Sequence, residues 1–419
     1  MLKKLKIGDF GKVLVKFASA QVIYNILRLI AGFLVVRIIA PELYGLFSGV
    51  GIFLGYIMLG HVGTLNGLGR ELPYQLGKGN IKSLKNYANT GYWISLIIGV
   101  LAFFLFSFLA IKNYYTQGHF DLTMVYATYS VLGFFHITNN VYLPVLYRTN
   151  SDFNKLSNIN IVSAIVNIIT VLLVYYYTFY GLLIRAVILI IIRFTLLYVY
   201  RPLKIRPKID LNSLKVLLKV GLPIYIVGQI GPLWNTIQKN ILFSVGGALQ
   251  YGYYALVSII EGAIGVIPNA FGQVVYPRMS IQSGKGLSKK EILSQVVKPT
   301  IFQFVLLLII AIIGVFLLPL IIPIALPKYT NGIAAAQWAF FIPVVKSLGL
   351  ANNYFNVVKK QKYYFIALIC GAITGLSYLF VQLHFNDFNL VYFPQGVLIG
   401  VVLQTLLSLY FLIYKLVEN

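Results

Sequence analysis

Apolar stretches of about 20 residues recur from one end of the chain to the other, and each is long enough to cross a hydrocarbon core of about 30 Å. Inside lipid no water is available to the backbone, so each stretch must satisfy its own N–H and C=O groups, which a helix does. The composition agrees. Of 419 residues, 59% are hydrophobic and 11% charged, against about 25% charged in soluble domains. The sequence is that of an all-α integral membrane protein.

Twelve spans are predicted, at 14–39, 42–72, 88–111, 121–147, 157–178, 181–200, 219–246, 249–276, 296–325, 329–357, 363–384 and 391–414. An even number places both termini on one side. Counted over alternate loops, 24 Lys and Arg fall on the side of the termini and two, Lys112 and Lys328, on the other. Short basic loops stay cytoplasmic, so the expected topology is N-in and C-in. The asymmetry accounts for most of the formal charge of +24 without a nucleic-acid partner.

The lysines ahead of the first apolar run and the small-residue "ASA" at 18–20 resemble parts of a cleaved leader. The run continues to Ala40, however, so an uncleaved first span is expected. Cys370 is the sole cysteine and falls in a span, which excludes disulfides and thiolate metal sites. The longest polar stretches lie near 201–217 and 279–295, and "DLNSLKVLLKV" reads as a short amphipathic helix on the inner surface. The expected domains are therefore a six-helix lobe at 1–205, an amphipathic linker at 206–218 and a second six-helix lobe at 219–419.

A shift of 207 residues lays the second span on the eighth without gaps. Tyr44-Gly45 then falls on Tyr251-Gly252, Gly55 on Gly262, Gln75 on Gln282, and Gly77-Lys78-Gly79 on Gly284-Lys285-Gly286. Apolar helices match one another cheaply, so the loop identities carry the repeat. Two halves in the same orientation form a parallel pseudo-two-fold repeat, an arrangement in which transporters place a substrate path between halves.

Eight basic residues remain in or beside the spans: Lys16, Arg28, Arg37, Arg70, Arg185, Arg193, Lys239 and Lys346. A charge at the bilayer centre costs about 2.5–3.5 kcal/mol on insertion scales, so such groups face a wet interior or reach an interface. Lys16, Arg37 and Arg193 are read as reaching an interface; Arg28, Arg185 and Lys239 are read as lining a lumen. Gln21, Asn25 and Arg28 share one helical face, and the equivalent face of the seventh span carries Asn235 and Lys239. Tyr129, His136 and Asn140 on the fourth span, and Asn160, Ser163 and Asn167 on the fifth, add groups able to hydrogen-bond hydroxyls. Several cations with Glu261 as the one internal acid suit an anionic substrate, and arginine matches phosphate oxygens in bidentate geometry.

Enzymatic constellations are missing. "GRELPYQLGKGN" at 69–80 has the wrong glycine spacing for a phosphate loop, has Gly after its Lys, and follows a membrane helix. The four histidines have no zinc spacing and the acids form no carboxylate pair. Neither a metal nor a cofactor is expected, and the protein is not expected to be an enzyme.

The runs "RIIAPELYG", "NGLGRELPYQLGKG" and "LKVGLP" resemble the Wzx-like oligosaccharide flippases of bacteria, polysaccharide-export proteins related to MATE-type multidrug exporters. The resemblance implies a V-shaped MATE-like bundle of two six-helix lobes in the bacterial cytoplasmic membrane. Its substrate would be an undecaprenyl-diphosphate-linked oligosaccharide, moved to the outer leaflet through a cationic lumen by alternating access. Glycan polymerase and other assembly proteins are implied partners, beside the membrane lipids. A multidrug exporter and a non-transporting scaffold of a glycan-assembly complex are the alternatives. H⁺ or Na⁺ coupling calls for a carboxylate or imidazole, for which Glu261, His61 and His136 are available; the membrane potential is the other drive. Arg70 and Glu71 stand at the cytoplasmic end of the second span as a gate, where Arg70 faces either the cavity mouth or a lipid headgroup.

Overall fold

The computed structural model describes residues 7–116, 118–284, 289–352, 354–355 and 360–417, with side chains from residue 19 onward except 269–270, 272–295, 350–351 and 414–417. The described residues are helical almost throughout. Among the described residues, eight segments are long and apolar enough to cross a membrane: Ser19–Ile38, Pro41–His61, Ile81–Thr116, Val171–Val199, Leu211–Tyr253, Val296–Ala325, Gln361–Phe385 and Tyr392–Ile413. Their outer faces carry Phe104, Phe316, Leu320 and Ile324 exposed, which a helix in water would bury and a helix in lipid need not.

The chain forms two compact units, Met1–Ile39 with Leu46–Thr236, and Ala40–Gly45 with Ile237–Asn419. The first unit begins with α1 (Ile7–Ile38), which lies along α8 (Phe153–Ile169). α5 (Ile81–Thr116) runs beside α6 (Phe120–Ile137), and α9 (Val171–Val199) packs on both α6 and α8. Within α9, Thr178 leaves helical geometry (φ 47°, ψ −118°). That is where the fifth predicted span ends and the sixth begins.

The second predicted span is not one helix. α2 (Pro41–Val50) and α3 (Phe53–Ile57) lead into a 3₁₀ turn, Met58–His61, and α4 (Thr64–Gly77) starts afresh. Val62 and Gly63 both have positive φ, 43° and 85°, and two such residues in succession cannot continue a right-handed helix. The break frees backbone groups that lipid cannot satisfy, and side chains take them over. Gly63 N donates to His61 Nδ1 at 3.2 Å, Thr64 Oγ1 donates to the His61 carbonyl at 2.7 Å, and the Tyr225 hydroxyl donates to the Leu59 carbonyl at 2.9 Å.

The fourth predicted span is interrupted as well. Between α6 and α7 (Leu143–Thr149) stands a π-helical turn, Thr138–Tyr142. Pro144 is its cause. Its ring clashes with the carbonyl of Asn140 four residues back and it has no N–H to offer that carbonyl, so the turn before it widens.

The core of the first unit gathers Leu65, Leu68, Leu72, Leu84, Tyr142, Tyr147, Leu197 and Leu217. In sequence these residues flank the basic loops. Two buried hydroxyls stitch the core, Tyr142 donating to the Ala88 carbonyl at 2.9 Å and Tyr147 to the Leu197 carbonyl at 2.8 Å.

α10 (Leu211–Tyr253) is a single helix broken in geometry only at Gly247 (φ 67°, ψ −175°), so residues 211–218 are its opening turns. Asp210 caps it: the Ser213 backbone N donates to Asp210 Oδ2 at 3.2 Å, and Asp210 N donates to Thr90 Oγ1 at 3.1 Å.

The second unit continues with α11 (Ala255–Gly284) and α12 (Lys289–Ala325). A broken stretch follows: a 3₁₀ turn at Pro327–Gly332, α13 (Ile333–Ala339), α14 (Phe341–Leu348) and a second 3₁₀ turn at Gly349–Asn352. α15 (Gln361–Phe385) and α16 (Tyr392–Val417) pair along their length, and Gln238 Nε2 donates to the Phe393 carbonyl at 2.7 Å, tying α10 to α16. Pro41–Gly45 lies in this unit against Ala248–Gly252 at backbone distance. A Cβ on Gly45 would stand 1.8 Å from the Ala248 oxygen, and one on Gly252 would stand 1.8 Å from the Pro41 oxygen.

Candidate functional site

A cavity of about 280 Å³ opens within the first unit. Five helical elements build it: α1 gives Tyr24 and Arg28, α6 gives Leu132, the π turn gives Asn139 and Asn140, α8 gives Ser163 and Asn167, and α9 gives Arg193. Ala186, Leu189 and Ile190 complete the wall. The lining has two guanidinium groups, three amides and two hydroxyls, with no acid.

Its hydrogen bonds separate groups that are committed from groups that are available. Arg193 Nη1 donates to the Tyr24 hydroxyl at 2.9 Å, with the guanidinium 5.8 Å from the Tyr24 ring centre. Its Nε is buried without a partner. Asn139 Nδ2 donates to the Ile190 carbonyl at 3.4 Å, while Asn139 Oδ1 is buried and accepts nothing. Arg28 is exposed to the cavity.

Of the residues predicted for a lumen, Arg28, Asn140 and Asn167 meet here. Arg185 stands behind them: it is buried, and its Nη2 donates to both Oδ1 and the backbone carbonyl of Asn167. His136 sits one turn from Asn140, with Asn140 Nδ2 3.2 Å from His136 Nδ1. Gln21 and Asn25 form a separate amide chain: Gln21 Nε2 donates to Asn25 Oδ1 at 3.4 Å, and Asn160 Nδ2 donates to Gln21 Oε1 at 3.3 Å. Asn235 is exposed on α10 and does not line this cavity.

Sequence reasoning missed three contributors. Arg193 was expected at an interface, whereas it lines the cavity. Tyr24 lies one helical turn before Arg28, and nothing in the sequence sets it apart from the many other aromatic span residues. Asn139 precedes Asn140 and stands about 100° from it in an α-helix, off the face that the spacing of His136 and Asn140 picks out; both line the cavity from the π turn. The proline at 144 was the one signal in the sequence for that turn.

Lys239 lies in the second unit, near enough to Glu261 and Lys346 to feel both charges, and Glu261 also acts on buried Tyr254. This group of one acid and two lysines draws on α10, α11 and α14. His61, expected as an ion-coupling group, is 2% exposed and holds the helix break, its ring edge-on to Tyr225 at 5.1 Å. Gly63 N donating to Nδ1 requires the tautomer with its proton on Nε2.

At the end of α4, Arg70 is exposed and Glu71 half-buried, with Pro73 inside the helix and Lys78 over the Tyr74 ring at 4.5 Å. In the repeat counterpart, Gly284 ends α11 while Lys285 and Gly286 lie outside the described residues, as does the side chain of Lys16.

Apolar helices long enough to span a bilayer, interrupted by unwound turns and enclosing a polar, cation-lined cavity inside one unit, define a multi-pass membrane protein. Solved structures share the fold. One is an inward-facing multidrug resistance MATE family transporter of the MOP superfamily, 16% identical over 94% of this chain and 95% of that one, with a TM-score of 0.74. Others are MATE in complex with MaD3S (14%, 97% and 96%, TM-score 0.67) and MATE in the straight conformation (14%, 98% and 96%, TM-score 0.65). No curated protein matches the chain by sequence. Residues 34–326, well over half of the chain, match the polysaccharide biosynthesis protein family, and the chain belongs to that family.

Proposed function

We propose that the protein is a lipid-linked oligosaccharide flippase. It moves undecaprenyl-diphosphate-linked glycan units from the cytoplasmic to the outer leaflet of the bacterial cytoplasmic membrane and makes no covalent change in them. In this reading the chain has twelve spans in two parallel six-span lobes, with both termini inside, and works by alternating access. One observation carries the proposal: a cavity within the span region holds Arg28 and Arg193 beside three amides and no acid. A diphosphate-linked sugar cannot enter hydrocarbon unaided, because its charge and hydroxyls would lose their water. A wall of guanidinium and amide groups replaces that water, with arginine matching phosphate oxygens in bidentate geometry. The polyprenyl tail needs no such replacement and stays in lipid.

Membership of a polysaccharide biosynthesis family supports a glycan-linked substrate. The MATE fold would equally serve a multidrug exporter, and Glu261 is the feature that favours it. An exporter of cations needs acids where its substrate binds, and the cavity lining has none. Glu261, near Lys239 and Lys346, is the place for H⁺ coupling in this scheme.

The test is deletion of the gene from its own host. Lipid-linked repeat units should accumulate on the cytoplasmic leaflet and surface glycan should vanish, both restored by a plasmid copy. Normal surface glycan in the deletion strain would overturn the reading.

A further inference from the structure

α10 runs from Leu211 to its break at Gly247, a rise of about 54 Å at 1.5 Å per residue. That is well beyond a hydrocarbon core of about 30 Å. The surplus falls at the opening turns, which carry Lys215 and Lys219 and stand at the level of the lipid headgroups. Those turns have two faces. Ser213, Leu217 and Gly221, each four residues from the next, form the packed one. A Cβ on Gly67 would stand 2.1 Å from the Leu217 oxygen, and one on Gly221 would stand 1.9 Å from the Gly63 oxygen. α10 therefore lies backbone to backbone on α4 and the turn before it, and its other face is held outward. Lys215 and Lys219 run along the middle of that face, one turn apart, with Leu211 and Leu222 on one edge and Val216 on the other. All five are exposed, Leu211 to 66%.

The segment leading into α10 is basic too and is fixed in place. Residues 204–210 form no helix, and Ile205 is buried in the core of the first unit. Arg206 N donates to Asn89 Oδ1 at 2.8 Å and Asp210 N donates to Thr90 Oγ1 at 3.1 Å, so the segment is tethered to α5. Lys204, Arg206 and Lys208 are exposed along it. Asp210 is the one acid between Arg201 and Lys219, and it is occupied by Ser213. A row of cations calls for anions, and the apolar side chains beside it, where a helix enters the membrane, call for hydrocarbon. A free phosphate or an acidic peptide supplies only the first; an anionic phospholipid supplies both. We infer that the opening turns of α10 and the segment before them are a binding surface for anionic phospholipid. Lys215 and Lys219 hold the headgroup phosphate, Arg206 and Lys208 extend the positive surface, and Leu211, Val216 and Leu222 lie against acyl chains. Binding here is separate from whatever the cavity carries.

The experiment is native mass spectrometry of the full chain released from detergent, titrated with phosphatidylglycerol or with phosphatidylcholine of the same acyl chains. Wild-type protein should bind phosphatidylglycerol at least about tenfold more tightly than phosphatidylcholine. Lys215→Gln combined with Lys219→Gln should bring that ratio to within about threefold, while Lys215→Arg combined with Lys219→Arg should keep it. Lys360→Gln combined with Lys362→Gln, the same loss of charge in the second unit, should leave the ratio at the wild-type value. A wild-type ratio near one, a ratio that survives the glutamine pair at 215 and 219, or a ratio that falls equally with the pair at 360 and 362 overturns the surface. Glycerol 3-phosphate and a hexaglutamate peptide are the soluble probes. Binding of either as tight as that of phosphatidylglycerol would assign the lysines to a soluble anion and overturn the lipid inference.

Discussion

Gly45 and Gly252 stand backbone against backbone in the second unit: a Cβ added to Gly45 would lie 2.6 Å from the Gly252 nitrogen. The two are 207 residues apart, the offset of the sequence repeat. Each presses on the other's helix at a carbonyl, Gly45 at Ala248 and Gly252 at Pro41, and Pro41 and Ala248 are separated by the same 207 positions. No flexible side chain is present at the contact to give way.

Gly45→Ala and Gly252→Ala should each destabilise by about 1–3 kcal/mol, the cost of overpacking a closed contact, and lower the melting temperature in detergent. Gly265→Ala is the control. Its Cβ meets nothing within 4 Å, so it should be neutral or gain helix propensity. Equal melting temperatures for all three would show that the contact does not bear on stability.

Arg28→Ala should reduce export about ten- to a hundredfold, the loss of a hydrogen bond to a charged group, with protein level unchanged. Arg193→Lys should lower export as well, since a compact ammonium cannot reproduce the planar guanidinium's contact with the Tyr24 hydroxyl and ring. Quantifying surface glycan against the amount of membrane-inserted protein decides both. Wild-type glycan output from Arg28→Ala would remove the cavity from the transport path.

Tyr147→Phe should cost about 1 kcal/mol by leaving the buried Leu197 carbonyl without its donor, and the side chain's packing in the core is retained. Thermal unfolding should register the change, and export at permissive temperature should persist.

Asp210 gives a pH dependence with a defined sign. Hydrogen bonds from Ser213, side chain first and then backbone, hold its carboxyl below the ordinary value of 3.8. Its contribution to stability is therefore complete above that value and is lost as pH falls through the lower folded-state pKa. The melting temperature of wild type should fall faster between neutral and strongly acidic pH than that of Asp210→Ala, which lacks the cap at every pH. Parallel curves would mean the cap does not contribute.

Much was legible in advance. Recurring apolar runs could only be helices, because lipid leaves backbone groups no other partner, and the turns at Thr178 and Gly247 fall where one predicted span gives way to the next. Helical spacing picks out Arg28, Asn140 and Asn167, and all three line the cavity of the first unit. The breaks at Val62–Gly63 and at Thr138–Tyr142 were not, for hydropathy averages over a span and is blind to one left-handed pair or one widened turn.

Those breaks decide the site. Periodicity assumes an unbroken 3.6-residue helix, under which Asn139 lies off the face of Asn140 and His61 is free to carry a proton, while snorkelling takes Arg193 to an interface. In the folded chain both asparagines of the π turn line the cavity, the Tyr24 hydroxyl accepts from Arg193 beside them, and His61 is occupied with the backbone of Gly63. Hydrophobicity, a property of residues one at a time, is enough to put this chain in a membrane. Which polar groups meet there depends on how the helices pack and where they stop being helical, which is set partly by a local proline, Pro144, and partly by contacts between segments distant in sequence, such as Tyr225 on the Leu59 carbonyl.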